Sequence, residues 1–139
     1  MTDLSRGCVL DTNILIYHLH DALPAAAEDM LADALECGAA ISVISRIELL
    51  SWPQHTPDSL AAAMRLLELV TEHPVGDSVA ERTIDIRRQT KIKLGDAVIA
   101  ATALDLGVPL MTRNSRDFAR VGGLVVVDPF ALPDQPADK

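Results

Sequence analysis

The chain has 139 residues, with 12 Lys and Arg against 20 Asp and Glu, for a formal net charge of -8. That length suits one domain, and 49% hydrophobic against 23% charged residues excludes wholesale disorder. So acidic a chain, with only 3% aromatics, will not grip nucleic acid by bulk charge or a broad base-stacking platform.

Cys8-Val9-Leu10 reads as the first strand. Pro24 opens a helix that runs to about Cys37, where Gly38 stops it. Residues 39–44 read as a second strand. Pro57 opens a helix through Leu60, Met64, Leu67 and Val70, spaced three and four apart. A further short strand is expected near His73-Pro74-Val75. Residues 79–89 form an amphipathic helix with Val79, Thr83 and Ile86 on one side. Residues 108–111 and 124–127 read as the last strands. Between them and the amphipathic helix, Asp96 opens a helix that is apolar nearly all round and closes at Gly107. The tail, residues 132–139, is expected to fray.

The strand segments are continuous apolar runs, as in a parallel sheet covered on both faces. Strands alternating with helices make an α/β layered domain with right-handed crossovers. No apolar run approaches the roughly 20 residues of a membrane span. The N-terminus carries no secretory signal pattern, and the two cysteines lack metal or CxxC spacing, so a cytoplasmic setting is expected. His18 and His20, two apart, face different sides of a helix and read as surface or half-buried side chains.

Ligand sites in such sheets lie outside the carboxyl ends of the strands. Asp11 follows the first strand, Glu48 comes four residues after Ile44, and Asp117 five residues after Thr112. Asp96 begins a helix that returns to the same sheet, so it too starts at that edge. Each acid has a plain capping role: Asp11 and Asp96 as N-caps, Ser45-Arg46-Ile47-Glu48 as a capping box, and Asn114-Ser115-Arg116-Asp117 as a cap with an acid in the first turn. Capping does not require four acids to share one edge. Two carboxylates about 4 Å apart repel by ~4 kcal/mol at an effective dielectric near 20. Either one stays protonated, or a divalent cation binds among them. Carboxylate-rich, all-oxygen sites suit Mg²⁺ or Mn²⁺, and such ions promote phosphodiester hydrolysis.

The same residues resemble a known family. Val9-Leu10-Asp11-Thr12-Asn13 resembles the opening motif of PIN-domain ribonucleases. Arg46-Ile47-Glu48-Leu49 resembles the second motif, residues 93–103 from Lys93 the third, and Thr112-Arg113-Asn114-Ser115-Arg116-Asp117-Phe118 the fourth. Four motifs in order and at fitting spacing, over nearly the whole chain except the tail, are similar to short VapC-type toxins of toxin–antitoxin pairs. The resemblance implies an α/β/α sandwich with a five-stranded parallel sheet in residues 1–131. It implies a Mg²⁺- or Mn²⁺-dependent endoribonuclease, an antitoxin partner, and a homodimer or larger assembly. By family, Asp11, Glu48 and Asp96 match the core metal-binding acids and Asp117 the more variable fourth. Thr112 and Asn114 match supporting polar residues, with Asn13 beside them. Gly95 departs from a frequent proline and is expected to leave the acids untouched.

Arg87, Arg88, Lys91 and Lys93 form a basic run before Asp96, and Arg113 and Arg116 flank Asp117 in sequence. Lys93 and Arg113 are the candidates for phosphate contact; a solvated surface is the plain alternative for most of the others. The helices around residues 24–37 and 46–52, with Trp52, offer a partner groove. Two other functions fit the fold class. A phosphatase or receiver-type domain phosphorylated on Asp11 lacks its pattern here, because position 13 is Asn rather than Asp and no adjacent acids or late lysine complete a receiver site. A non-catalytic binding module would keep the fold without binding a divalent ion.

Overall fold

The structure, a computed structural model, describes residues 3–131. Five short strands build one sheet: β1 (Val9–Leu10), β2 (Ala40–Ser42), β3 (Thr71–His73), β4 (Leu110–Met111) and β5 (Val126–Val127). Every neighbouring pair is parallel, in the order β3-β2-β1-β4-β5. The helices are α1 (Thr12–Leu19), α2 (Ala25–Glu36), α3 (Val43–Leu50), α4 (Pro57–Leu67), α5 (Asp77–Gln89), α6 (Leu94–Leu106) and α7 (Ser115–Phe118).

Alternate strand residues point to opposite faces, and both faces are buried except at the edge strand β3, where Thr71 and Glu72 are exposed. Leu10, Ile41 and Met111 join one core with Ile14 and Leu15 of α1, Leu31 of α2, Leu49 of α3 and Leu66 of α4. Val9, Ala40 and Leu110 join the other with Val79 and Ile86 of α5, the apolar body of α6, and Phe118 of α7. The result is the expected α/β/α sandwich. Ala97 through Ala103 are all buried, so α6 is apolar all round because it has no solvent face over that stretch. Gly107 ends it in the left-handed conformation at φ 70°.

Some elements differ from their sequence patterns. The run 39–44 is not all strand: the Ser42 hydroxyl accepts from the Ile44 amide at 3.1 Å, and the chain enters α3 at Val43. A good cap there overrides the strand preference of Val43 and Ile44. The strand expected at residues 73–75 lies at Thr71–His73, ending where Pro74 could donate nothing to the ladder. The runs 108–111 and 124–127 pair only at Leu110–Met111 and Val126–Val127. Helix α4 stops at Leu67, short of Val70, and Met64 on its apolar spacing is 53% exposed. The tail expected to fray lies outside the described residues. Among the described residues, no helix is long and apolar enough to cross a membrane. Cys8 and Cys37 are both free thiols, and burial pushes Cys8 up to about 12.

Gly7, just before β1, sits at φ +96°, where a Cβ would stand 3.0 Å from the Gly38 carbonyl oxygen. Gly38 has φ +92° but open space around it. Gly7→Ala therefore meets both backbone strain and a clash, and is expected to lower unfolding free energy by about 1–3 kcal/mol. Gly38→Ala meets strain alone and loses less. Urea denaturation of the two variants checks the order; an unchanged midpoint for Gly7→Ala contradicts it.

Candidate active site

Asp11 stands at the carboxyl end of β1, in the position before α1, yet its side chain caps nothing. Only 5% exposed, it instead accepts a hydrogen bond from Thr112 Oγ1 at 2.7 Å. Thr112, fully buried just after β4, accepts in turn from the Asn114 backbone amide at 2.9 Å and from Asn13 Nδ2 at 3.5 Å. One hydroxyl thus ties the ends of two adjacent strands together and fixes the carboxylate. Burial pushes Asp11 up to about 6; Thr112 opposes that shift, and the charges of Asp96 and Glu48 add to it.

Glu48 lies in the second turn of α3, because the helix begins at Val43 rather than after Ser45. The capping box read from Ser45 to Glu48 therefore does not form. Glu48 Oε1 accepts from Thr12 Oγ1 at 2.6 Å, and Thr12 Oγ1 lies 2.8 Å from the buried Ser45 hydroxyl. Thr12 and Ser45 thus hold Glu48 beside the start of α1. Asp96 is not the N-cap of α6 either; Lys93 occupies that position and Asp96 is the third helical residue. Its carboxyl is pushed above the usual range by burial first, then by Glu48; Lys93 counters this and Asp117 adds to it. Asp117, exposed on α7, accepts from Asn114 Nδ2 at 3.0 Å. Asn114 is the residue before α7 but makes no side-chain cap.

The structure thus brings Asp11, Glu48, Asp96 and Asp117 into one electrostatic neighbourhood, with Thr112, Asn114 and Asn13 bonded among them. Gly95 does touch this group, contrary to expectation: a Cβ there would stand 3.2 Å from Glu48 Oε2. Its missing side chain leaves room for that carboxylate. Lys93 lines a cavity of about 210 Å³ with Asp96, Asn114 and Asp117. Arg113 lies elsewhere, its guanidinium 4.0 Å over the Phe130 ring and 5.3 Å from the Tyr17 ring centre. Arg87 is used in the backbone, donating to the Ile92 carbonyl at 3.0 Å.

Sequence reasoning assigned no supporting role to Thr12 and read Ser45 as a cap. The signal was present in both cases: each hydroxyl neighbours an acid-bearing motif, but only the crossing of α1 and α3 joins them. His18 pairs with Glu28 at 2.8 Å and His20 packs against Trp52, so neither joins the acids.

The donor set is all carboxylate, which suits Mg²⁺ or Mn²⁺ rather than zinc. Among the described residues, no group of three or more His, Cys, Asp or Glu side chains is arranged to hold a metal ion. Mg²⁺ keeps most of its waters and uses one or two direct carboxylates, so it does not need three acids arranged around it. The raised Asp11 and Asp96 provide a physical reason for a cation: it would relieve both burial and mutual repulsion.

Those shifts predict a pH dependence in the metal-free protein. Asp11 rises from 3.8 to about 6 on folding, so the folded state holds its proton more tightly. Its part of the stability is complete below 3.8 and is lost as pH rises to about 6, by about 3 kcal/mol. Asp11→Asn removes that loss and is expected to be the more stable form near neutral pH in EDTA. Urea denaturation of both proteins across this window checks it; parallel curves contradict it.

A toxin–antitoxin complex from Klebsiella pneumoniae contains a chain similar to this one at 30% identity and TM-score 0.72, over 91% of this chain and 100% of that one. FitAcB from Neisseria gonorrhoeae is similar at 25% identity and TM-score 0.72, over 89% and 99%. VapBC-1 from nontypeable Haemophilus influenzae is similar at 25% identity and TM-score 0.75, over 87% and 96%. No curated protein matches the chain. The PIN domain family model matches residues 8–124, most of the chain including all four acids, and on that match the chain belongs to the PIN domain family.

Proposed function

We propose that this chain is a toxin-like endoribonuclease that hydrolyses RNA phosphodiester bonds with Mg²⁺ or Mn²⁺ and is neutralised by a cognate antitoxin. The observation that carries the reading is the buried, hydroxyl-fixed Asp11 with a raised carboxyl, sharing one sheet edge with Glu48, Asp96 and Asp117. A chain selected only for stability has no use for that arrangement.

Asp11, Glu48 and Asp96 would hold the ion, directly or through waters, with Asp117 orienting a ligand water or helping to hold a second ion. Bound there, the ion would lower the pKa of a water and neutralise charge on a phosphate oxygen. Thr112 keeps the Asp11 carboxylate in one orientation, Thr12 does so for Glu48, and Asn114 for Asp117. Water attacks phosphorus in line with the ribose 3′ oxygen, which leaves. The products carry a 5′-phosphate and a 3′-hydroxyl. Lys93 and Arg113 contact phosphate. The stack on Phe130 covers one face of the Arg113 guanidinium and leaves its edge donors free.

The antitoxin reading is supported by the similar chain in the toxin–antitoxin complex from Klebsiella pneumoniae and by an apolar groove between α1, α3 and α4. Ile16, Leu19, Leu49 and Trp52 line that groove, and Glu48 lies in it as well. Helix α2, expected from its sequence to take part, does not line it. An apolar helix seated there would lie against one of the four acids. Action in the cytoplasm and assembly as a homodimer or larger unit complete the proposal.

A second reading, a non-catalytic binding module, is favoured by the lack of three acids arranged to hold a metal among the described residues. Mn²⁺ titration of the antitoxin-free chain, followed by electron paramagnetic resonance, separates the two. Saturable binding that weakens at least tenfold in Asp96→Asn is expected; no binding by the wild type moves the module reading ahead. In an RNA cleavage assay, a 2′,3′-cyclic phosphate product would mean attack by the ribose 2′-OH and would overturn the hydrolytic mechanism.

Arg113→Ala is expected to weaken RNA binding and to reduce the slope of log affinity against log salt by about 0.7, the share of one phosphate contact on a single strand. An unchanged slope would leave Arg113 as part of an aromatic stack only.

A further inference from the structure

We infer that Lys91 and Arg120, with Lys93, form a binding site for the RNA phosphate next to the one that is cut. This rests on the nuclease reading and adds the path of the strand. Lys91 and Lys93 come from the loop between α5 and α6, and Arg120 follows α7. All three line the cavity of about 210 Å³ that also holds Asp96, Asn114 and Asp117. Cations from two separate segments thus face the same space as two of the four acids.

Folding does not require that convergence. The loop is secured by other groups: Arg87 donates to the Ile92 carbonyl at 3.0 Å, and the Ile92 amide donates to Thr90 Oγ1 at 3.3 Å. Lys91, Lys93 and Arg120 are exposed, and none takes part in an ion pair among the described residues. Among the other arginines, Arg46 pairs with Glu72 and Arg82 with Asp105, whereas Arg120 has no such partner among the described residues.

A phosphodiester chain fits the mixture of signs. A chain of net charge -8 repels RNA at a distance, so its cations must be concentrated where the strand is held. The acids face the phosphate that reacts. The cationic rim on the Asp96–Asp117 side takes the next phosphate along. Arg120 offers a planar fork of donors and the lysines point charges, and both suit phosphate oxygens.

The test uses the full chain and a 2′-O-methyl oligoribonucleotide with one uncharged methylphosphonate linkage, moved stepwise along the strand. Affinity is read by fluorescence anisotropy with Ca²⁺ present to neutralise the acids, and strand integrity is checked on a gel. In the wild type, neutralising the linkage that these cations hold is expected to weaken binding roughly fivefold, beside whatever penalties other linkages show. In Lys91→Ala/Arg120→Ala that position is expected to lose its penalty, while the others keep theirs. If the penalty persists in the double variant, or the variant binds every oligonucleotide equally more weakly, these cations only balance the nearby acids and the inference falls. The nuclease reading then stands or falls by cleavage alone. If the wild type binds no oligoribonucleotide at low salt, both readings fall.

Discussion

Burying a carboxylate costs several kcal/mol unless hydrogen bonds or a counter-charge offset it, and Asp11 is buried at the end of a central strand. Most of the site follows from that cost. Thr112 answers part of it with a 2.7 Å hydrogen bond from the neighbouring strand. The Thr112 hydroxyl is then held by the chain around Asn114, which in turn holds Asp117. What remains is opposed further by Asp96 and Glu48, whose charges push Asp11 up rather than down. The acids therefore leave a local demand for positive charge that the side chains bonded to them do not meet.

That demand reconciles two properties that otherwise conflict. The chain is strongly acidic, yet the proposed substrate is a polyanion. A bound divalent ion would reverse the local sign at the sheet edge. The exposed Lys91, Lys93 and Arg120 lie on the Asp96–Asp117 side of that edge. Repulsion over the remaining surface then favours a strand that is already aligned.

The apolar groove between α1, α3 and α4 opens on the other side of Glu48. Trp52 is 39% exposed there, flanked by the rings of His20 and His55 at 5.6 and 5.1 Å. Glu48 therefore stands between an apolar surface and the acidic edge. A protein partner in the groove would lie against one of the four acids. Gly95 matters for the same reason: a side chain there would press on the Glu48 carboxylate.

The four acids were legible from the sequence because parallel topology sends every strand end, and every helix start feeding a strand, to a known edge. The sandwich was legible too, because continuous apolar runs can only be buried on both faces. Helix α6 announced its burial through its alanines and the glycine that ends it. Those features depend on local pattern and on topology, and both are written in the order of residues. What each acid does with its hydrogen bonds was not legible. Asp11, Asp96 and Glu48 all sit where caps belong by sequence, and none of them caps a helix. The local pattern cannot show that Thr112, 101 residues away, claims Asp11, or that Thr12, 36 residues away, claims Glu48. Nor can it show that Arg120 lines one cavity with Lys91, or that Arg113 rests on Phe130. Such choices are made between groups distant in the chain, and only the packing of helices on the sheet brings those groups within reach.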